Sequence, residues 1–137
     1  MILTDAGVLY ALVNKDEGDA NTQCRMLLRR SGNALLLTTW ACFAEAMYLA
    51  GQTGGWRLQS LLWELVLDAT VQFHHPGKQE QERMVVLMGK YRDTPMDLAD
   101  ATLVAAAEAL ELTRVFTLDS DFRVYRINGQ TPFEVIS

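Results

Sequence analysis

The chain has 137 residues, 50% of them hydrophobic and 21% charged, with a formal net charge of −5. That length and apolar content suit one compact domain over residues 1–137, because a chain of this size buries roughly two-thirds of its unfolded surface. The acidic balance excludes the global basic field that recruits duplex DNA or an anionic membrane, so a polyanionic substrate has to be held by local arginines and bound metal.

Met1 to Thr4 read as a very short apolar strand that stops at Asp5, and Ala6-Gly7 permits a tight turn into a helix begun by Val8, Leu9, Ala11 and Leu12. The segment reaches a charge at once, with no basic n-region and no apolar run of signal-peptide length, and no stretch is apolar enough to span a bilayer. The cytoplasm is the expected location. Lys15 to Asn21 read as a polar loop, followed by a helix with Cys24, Leu27 and Leu28 on its apolar face and Arg25, Arg29 and Arg30 on the other. The arginines suit a solvated C-terminal helix face, with phosphate contact as the functional alternative. Cys24 and Cys42 lack metal-ligand spacing and are read as buried free thiols.

Ala34 to Leu37 predict the next strand, and Thr38-Thr39 cap a helix that runs through Trp40, Phe43, Met47 and Tyr48 to Gly51. Glu45 is the one charge on that helix. An unpaired buried carboxylate is costly, so Glu45 lies either on an exposed edge or in a polar pocket. Gly54-Gly55 break the chain before an amphipathic helix from Trp56 to Val66, whose Trp56, Leu58, Leu61, Leu62 and Trp63 offer more apolar surface than one packed face needs. Val71 to His75 read as a strand. Adjacent residues of a strand face opposite ways, so His74 and His75 cannot grip one ion.

Gln79 to Tyr91 predict a helix with Met84, Val85, Leu87 and Met88 inward. After Pro95, Asp97 is placed to cap the next helix with Asp100 in its first turn, followed by Leu103, Val104, Ala106, Ala107 and Leu110 at helical spacing. Val115 to Leu118 then form a strand that leads into Asp119, and Thr131 to Ile136 form a last edge strand behind the Asn128-Gly129 turn.

Strands starting near Met1, Ala34, Val71 and Arg114, alternating with helices, predict an α/β domain with a short, mainly parallel sheet covered on both faces. Right-handed crossovers then bring the carboxyl ends of the strands to one edge. Asp5 and Asp119 end two strands there, Asp97 and Asp100 begin a helix there, and Glu45 follows a third strand. Four or five converging carboxylates repel one another unless a cation neutralises them, and Mg²⁺ or Mn²⁺ suits such oxygen ligands.

The motifs ILTDAGVLYAL, TTWACFAEAMYLA, PMDLADATLVAAAEAL and TRVFTLDSDF, in this order and spacing, resemble the PIN-domain ribonucleases, and among them the VapC-type toxins of bacterial toxin–antitoxin pairs. The resemblance covers almost the whole chain. It implies a three-layer α/β/α sandwich, PIN-like, that hydrolyses RNA with one or two Mg²⁺ or Mn²⁺ ions. By position the family's acids fall on Asp5, Glu45, Asp100 and Asp119, with Thr117 matching the small hydroxyl residue that precedes the last acid. Asp5, Asp100 and Asp119 are then metal ligands, Glu45 a ligand or water-orienting base, and Asp97 a further acid available to metal; Asp121 is also extra. Gly7 stands where many members carry Ser or Thr, so the hydroxyl contact that position 7 makes near Asp5 in those members is expected to be absent. The resemblance also implies a homodimer neutralised by a cognate antitoxin protein whose tail lies along the groove.

Two other readings of strand-end acids fail on specific positions. An aspartate-nucleophile phosphatase requires a second Asp where this chain has Gly7, and a receiver-type domain requires an acidic pair and a late lysine that are both missing. The remaining rival is a non-catalytic PIN-like dimerisation or RNA-binding module. Retention of all four acids argues against it, since repelling carboxylates destabilise a fold that holds no cation.

Overall fold

A computed structural model of the protein describes residues 1–32 and 34–137. The elements follow in the order β1 (Ile2–Thr4), α1 (Ala6–Val13), α2 (Asp19–Arg30), β2 (Leu36–Thr39), α3 (Trp40–Gly54), α4 (Trp56–Leu67) and β3 (Val71–His74). The second half runs α5 (Lys78–Lys90), α6 (Leu98–Leu110), β4 (Arg114–Phe116), β5 (Arg126–Ile127), β6 (Thr131–Pro132) and β7 (Glu134–Ile136). Five strands form one parallel sheet in the order β3-β2-β1-β4-β7, while β5 and β6 pair separately as an antiparallel hairpin.

Strand alternation divides the core in two. Ile2, Leu36, Val71 and Phe116 join the cluster formed with α1, α3 and α4, whereas Leu3, Leu37 and Val115 join the one formed with α5 and α6. The register pairs Ile2 with Leu36 and Leu36 with Val71, so one face stays apolar across three strands. Each large side chain buried this way contributes about 1.5–3 kcal/mol relative to exposure. The result is the three-layer α/β/α arrangement of a PIN-like fold, with the central sheet wholly parallel.

Several boundaries differ from the sequence reading for identifiable reasons. The helix after β2 continues past Gly51 to Gly54, and its end falls at Gly55, where a φ of +61° is open to glycine and strained for other residues. Asn21 belongs to α2 rather than to a loop: its buried amide donates to the carbonyls of Ala11 and Leu12, which satisfies the end of α1. Val85 and Val86 are exposed, whereas Met84 and Leu87 of α5 are buried in the core and Met88 packs against it. The final predicted strand is two strands: Thr131–Pro132 completes the hairpin around Asn128 and Gly129, both at positive φ, and Glu134–Ile136 then turns onto the edge of the main sheet. Cys24 and Cys42 are buried free thiols as expected, with burial pushing them up to about 11 and about 12. His74 is engaged by Glu80 at 2.8 Å.

Candidate functional site

Each acid reaches the carboxyl edge of the sheet through a local rule of chain geometry. Asp5 follows β1 directly and caps α1, its Oδ1 accepting the amide of Val8 at 3.1 Å. Thr39 ends β2 and caps α3, its Oγ1 accepting the amide of Cys42 at 3.4 Å, which places Glu45 about one and a half turns into the helix. Asp97 caps α6 by accepting the amide of Asp100 at 2.8 Å. Asp119 begins the 3-10 turn Ser120–Arg123 and accepts the amide of Asp121 at 2.9 Å. Asp121 is thus a member of the turn that Asp119 caps.

Asp5, Glu45, Asp97, Asp100 and Asp119 all line one cavity of about 290 Å³, together with Ala6, Gly7, Leu49, Ala99 and Leu118. Among the described residues no Lys or Arg lines it, and Arg25 and Arg29 border a different groove with Asn21 and Met26. The arginines that the acidic balance calls for therefore stand elsewhere, because the cavity wall is built from the starts of α1 and α6, the body of α3 and the segment after β4, whose lining residues are apolar or acidic. The starts of α1 and α6 bring the positive ends of two helix dipoles toward the carboxylates.

Buried hydroxyls fasten the strand ends beneath the cavity. Thr4 donates to the carbonyl of Phe116 at 3.2 Å and Thr38 to the carbonyl of Thr4 at 2.9 Å, while Thr39 and Thr102 share a bond at 2.7 Å. Thr117 donates to Asp5 Oδ2 and accepts the amide of Asp119 at 2.9 Å. One hydroxyl thus ties the acid after β1 to the acid after β4. Gly7 leaves room beside Asp5: a β-carbon there would stand 3.7 Å from Oδ1, an ordinary contact.

The electrostatics follow from burial and like charge. Desolvation pushes the Asp5 carboxyl up, with Thr117 and the Val8 amide pulling it back and Asp119 adding repulsion. Asp100 is pushed up to about 7, first by burial and then by Asp97, with a bond from Tyr125 opposing. Glu45 stands exposed at the cavity mouth, where partial desolvation followed by repulsion from Asp97, Asp5 and Asp119 raises its carboxyl.

Tyr125 is the site residue that the sequence reading missed. It is fully buried and its hydroxyl donates to Asp100 Oδ2 at 3.0 Å. In the sequence it stands beside Val124 and Ile127 and reads as apolar filler. The available signal was chemical: a buried Tyr hydroxyl needs a hydrogen-bond partner.

The donor set suits a hard divalent cation. Among the described residues no three acidic, histidine or cysteine side chains are gathered to hold one ion as they stand, and Asp5, Asp97 and Asp119 each commit an oxygen to a backbone amide. Mg²⁺ asks for less than that, because it keeps several waters and takes one or two carboxylates. Raised carboxyls without a lining cation fit such an ion.

The fold is that of the PIN-like α/β/α domains. Among solved structures it is similar to a Mycobacterium tuberculosis protein, VapC20, described as a toxin that cleaves the sarcin–ricin loop. The TM-score is 0.78 at 20% sequence identity, and the match covers 90% of this chain and 94% of the other. Neither a scan of protein-family models nor a search of curated protein sequences returns a match.

Proposed function

We propose that this chain is a metal-dependent endoribonuclease that hydrolyses RNA phosphodiester bonds, acting as a single domain over residues 1–137 and serving as the toxin of a toxin–antitoxin pair. The observation that carries the reading is the convergence of Asp5, Glu45, Asp97, Asp100 and Asp119 on one cavity at the carboxyl edge of a PIN-like sheet. A bound Mg²⁺ or Mn²⁺ supplies Lewis acidity and a water of lowered pKa. Asp5, Asp100 and Asp119 are the carboxylates that would hold that ion, directly or through its waters, with Asp97 within the same cavity as a further oxygen donor. Glu45, exposed at the mouth with a raised carboxyl, orients the attacking water or takes its proton at a carboxylate oxygen. Thr117 keeps Asp5 and Asp119 in register beneath them.

The same reading carries partners and place. Among the described residues no helix is long and apolar enough to cross a membrane, and the function proposed is a cytoplasmic one. Leu58 and Leu62 of α4 enter the core, so the surplus apolar surface is smaller than its sequence suggests. Trp56, Trp63 and Leu67 of α4 remain exposed, as do Trp40 and Tyr48 of α3, beside a groove of about 310 Å³ whose lining includes Trp40, Phe43, Met47, Tyr48 and Trp63. That apolar surface supports a homodimer and an antitoxin contact.

The decisive experiment incubates purified protein with RNA in Mg²⁺ or Mn²⁺ and in chelator, with the sarcin–ricin loop as the first substrate because VapC20 is described as cleaving it. Cleavage is expected with metal and none with chelator. Asp5→Asn, Glu45→Gln, Asp100→Asn and Asp119→Asn are each expected to lose most activity while remaining folded. Cleavage unchanged in chelator overturns the metal mechanism, and loss of fold in all four variants makes the acids structural.

A further inference from the structure

We propose that Tyr125 is a positioning residue of the acid cavity, its hydroxyl holding the Asp100 carboxylate so that the other oxygen is left for a bound divalent cation. The inference rests on the nuclease reading above and extends it to a residue outside the acids.

The phenol donates to Asp100 Oδ2 at 3.0 Å, and among the described residues no other side chain donates to this carboxylate, whose charged form the backbone amide of Asp97 also favours. Tyr125 is 0% exposed, and its ring meets those of Tyr91 and Phe122 edge-on, with centroids 5.1 and 5.2 Å away. In a close-packed interior the ring cannot rotate without displacing these neighbours, so the hydroxyl is a fixed donor. Asp100 sits in the first turn of α6, where an unheld carboxylate would sample several rotamers.

The backbone of Tyr125 reaches the other acid. Its amide donates to the carbonyl of Asp121 at 3.1 Å, and the amide of Asp121 donates to Asp119 Oδ1 at 2.9 Å. The turn that starts at Asp119 therefore ends on the residue that grips Asp100, which fixes the separation of two acids carried by different elements. A neutral donor suits this task. Lys or Arg at the same place would cancel the charge of Asp100 and compete with a cation, whereas a phenol orients the carboxylate and leaves its charge in place.

The test titrates Mn²⁺ into the wild type, Tyr125→Phe and Tyr91→Phe, following free Mn²⁺ by paramagnetic resonance and the melting temperature with and without metal. Tyr125→Phe keeps the ring and its packing. It is expected to bind Mn²⁺ about 10-fold more weakly, the effect typical of losing an outer-shell partner, and to gain less melting temperature from metal. Its RNA cleavage is expected to recover at high Mg²⁺. Tyr91→Phe loses a hydroxyl that accepts the Arg126 amide at 3.1 Å, in the same aromatic cluster but away from the acids; it is expected to melt lower and bind Mn²⁺ as the wild type does. Wild-type Mn²⁺ affinity in Tyr125→Phe overturns the proposal. A wild type that binds no Mn²⁺ overturns the nuclease reading as well, and the two failures are told apart by the wild-type titration. If Tyr125→Phe does not fold, tyrosine difference absorption of the wild type decides: Mn²⁺ is expected to shift it, and no shift overturns the role.

Discussion

Asp97 accepts the backbone amide of Asp100 at 2.8 Å, so one acid of the cavity fixes the helical turn that presents the other. The two carboxylates differ in consequence. Asp97 is exposed and spends an oxygen on the cap, whereas Asp100 is partly buried and held by Tyr125.

That division of labour predicts opposite responses to substitution. Asn caps nearly as well as Asp, so Asp97→Asn is expected to melt close to the wild type, while Asp97→Ala loses about 0.5–2 kcal/mol of stability. Asp100→Asn is expected to keep its stability and lose most of its metal affinity. Paired melting curves and Mg²⁺ titrations check this; equal loss of metal binding in Asp97→Asn and Asp100→Asn would falsify the assignment of Asp97 as mainly a cap.

The raised carboxyls give a pH dependence with a definite sign. Asp100 titrates near 4 in the unfolded chain and is pushed up to about 7 when folded, so the folded state holds its proton more tightly. Its contribution to stability is full below about pH 4 and is lost as pH rises through about 7. Asp5 is shifted the same way by burial. Protein in chelator is therefore expected to melt lower at pH 8 than at pH 5, with a smaller difference in Asp100→Asn, and Mg²⁺ is expected to restore the melting temperature at pH 8. The same slope in the wild type and Asp100→Asn would show that Asp100 is not its source.

Why the acids were legible and Tyr125 was not is a matter of which signals are local. Asp5, Asp97 and Asp119 stand at strand ends or helix starts, and such positions are marked within a few residues of sequence by apolar runs and capping residues. Glu45 is marked by contrast with an otherwise uncharged helix. The bond from Tyr125 to Asp100 spans 25 residues and depends on how the 3-10 turn after Asp119 folds back on α6, which no local pattern encodes. Helix ends suffered similarly: Gly51 and Gly55 look alike in sequence, and only the backbone angle at Gly55 distinguishes the real stop.

Self-association is checked most cleanly at Trp56, which is 69% exposed, whereas Trp63 also packs edge-on against Phe43 with centroids 5.0 Å apart. Wild-type protein is expected to sediment as a dimer, and Trp56→Asp to weaken the dimer with an unchanged melting temperature at low concentration. Trp63→Asp is expected to lose stability as well, since it also removes core-edge packing. A wild type that remains monomeric across micromolar concentrations contradicts the interface.

Thr117 offers the sharpest test of how the two strand-end acids are coupled. Its hydroxyl has one proton, which goes to Asp5 Oδ2, and its oxygen accepts the Asp119 amide at 2.9 Å, so both bonds depend on one buried atom. Thr117→Val keeps the shape and removes both bonds, leaving a buried carboxylate oxygen and an amide without partners, at a cost of about 1–3 kcal/mol for such a group. The Thr117 bond lowers the Asp5 carboxyl against the pull of burial, so without it Asp5 holds its proton to higher pH. The acid limb of RNA cleavage against pH is therefore expected to move upward in Thr117→Val, with reduced activity at neutral pH that partly recovers in more alkaline buffer. Thr117→Ser retains the hydroxyl and is expected to restore both the profile and most of the stability. A Val variant with the wild-type profile and melting temperature would mean that Asp5 and Asp119 are placed by their own backbone caps alone, with Thr117 contributing only its methyl group to the packing.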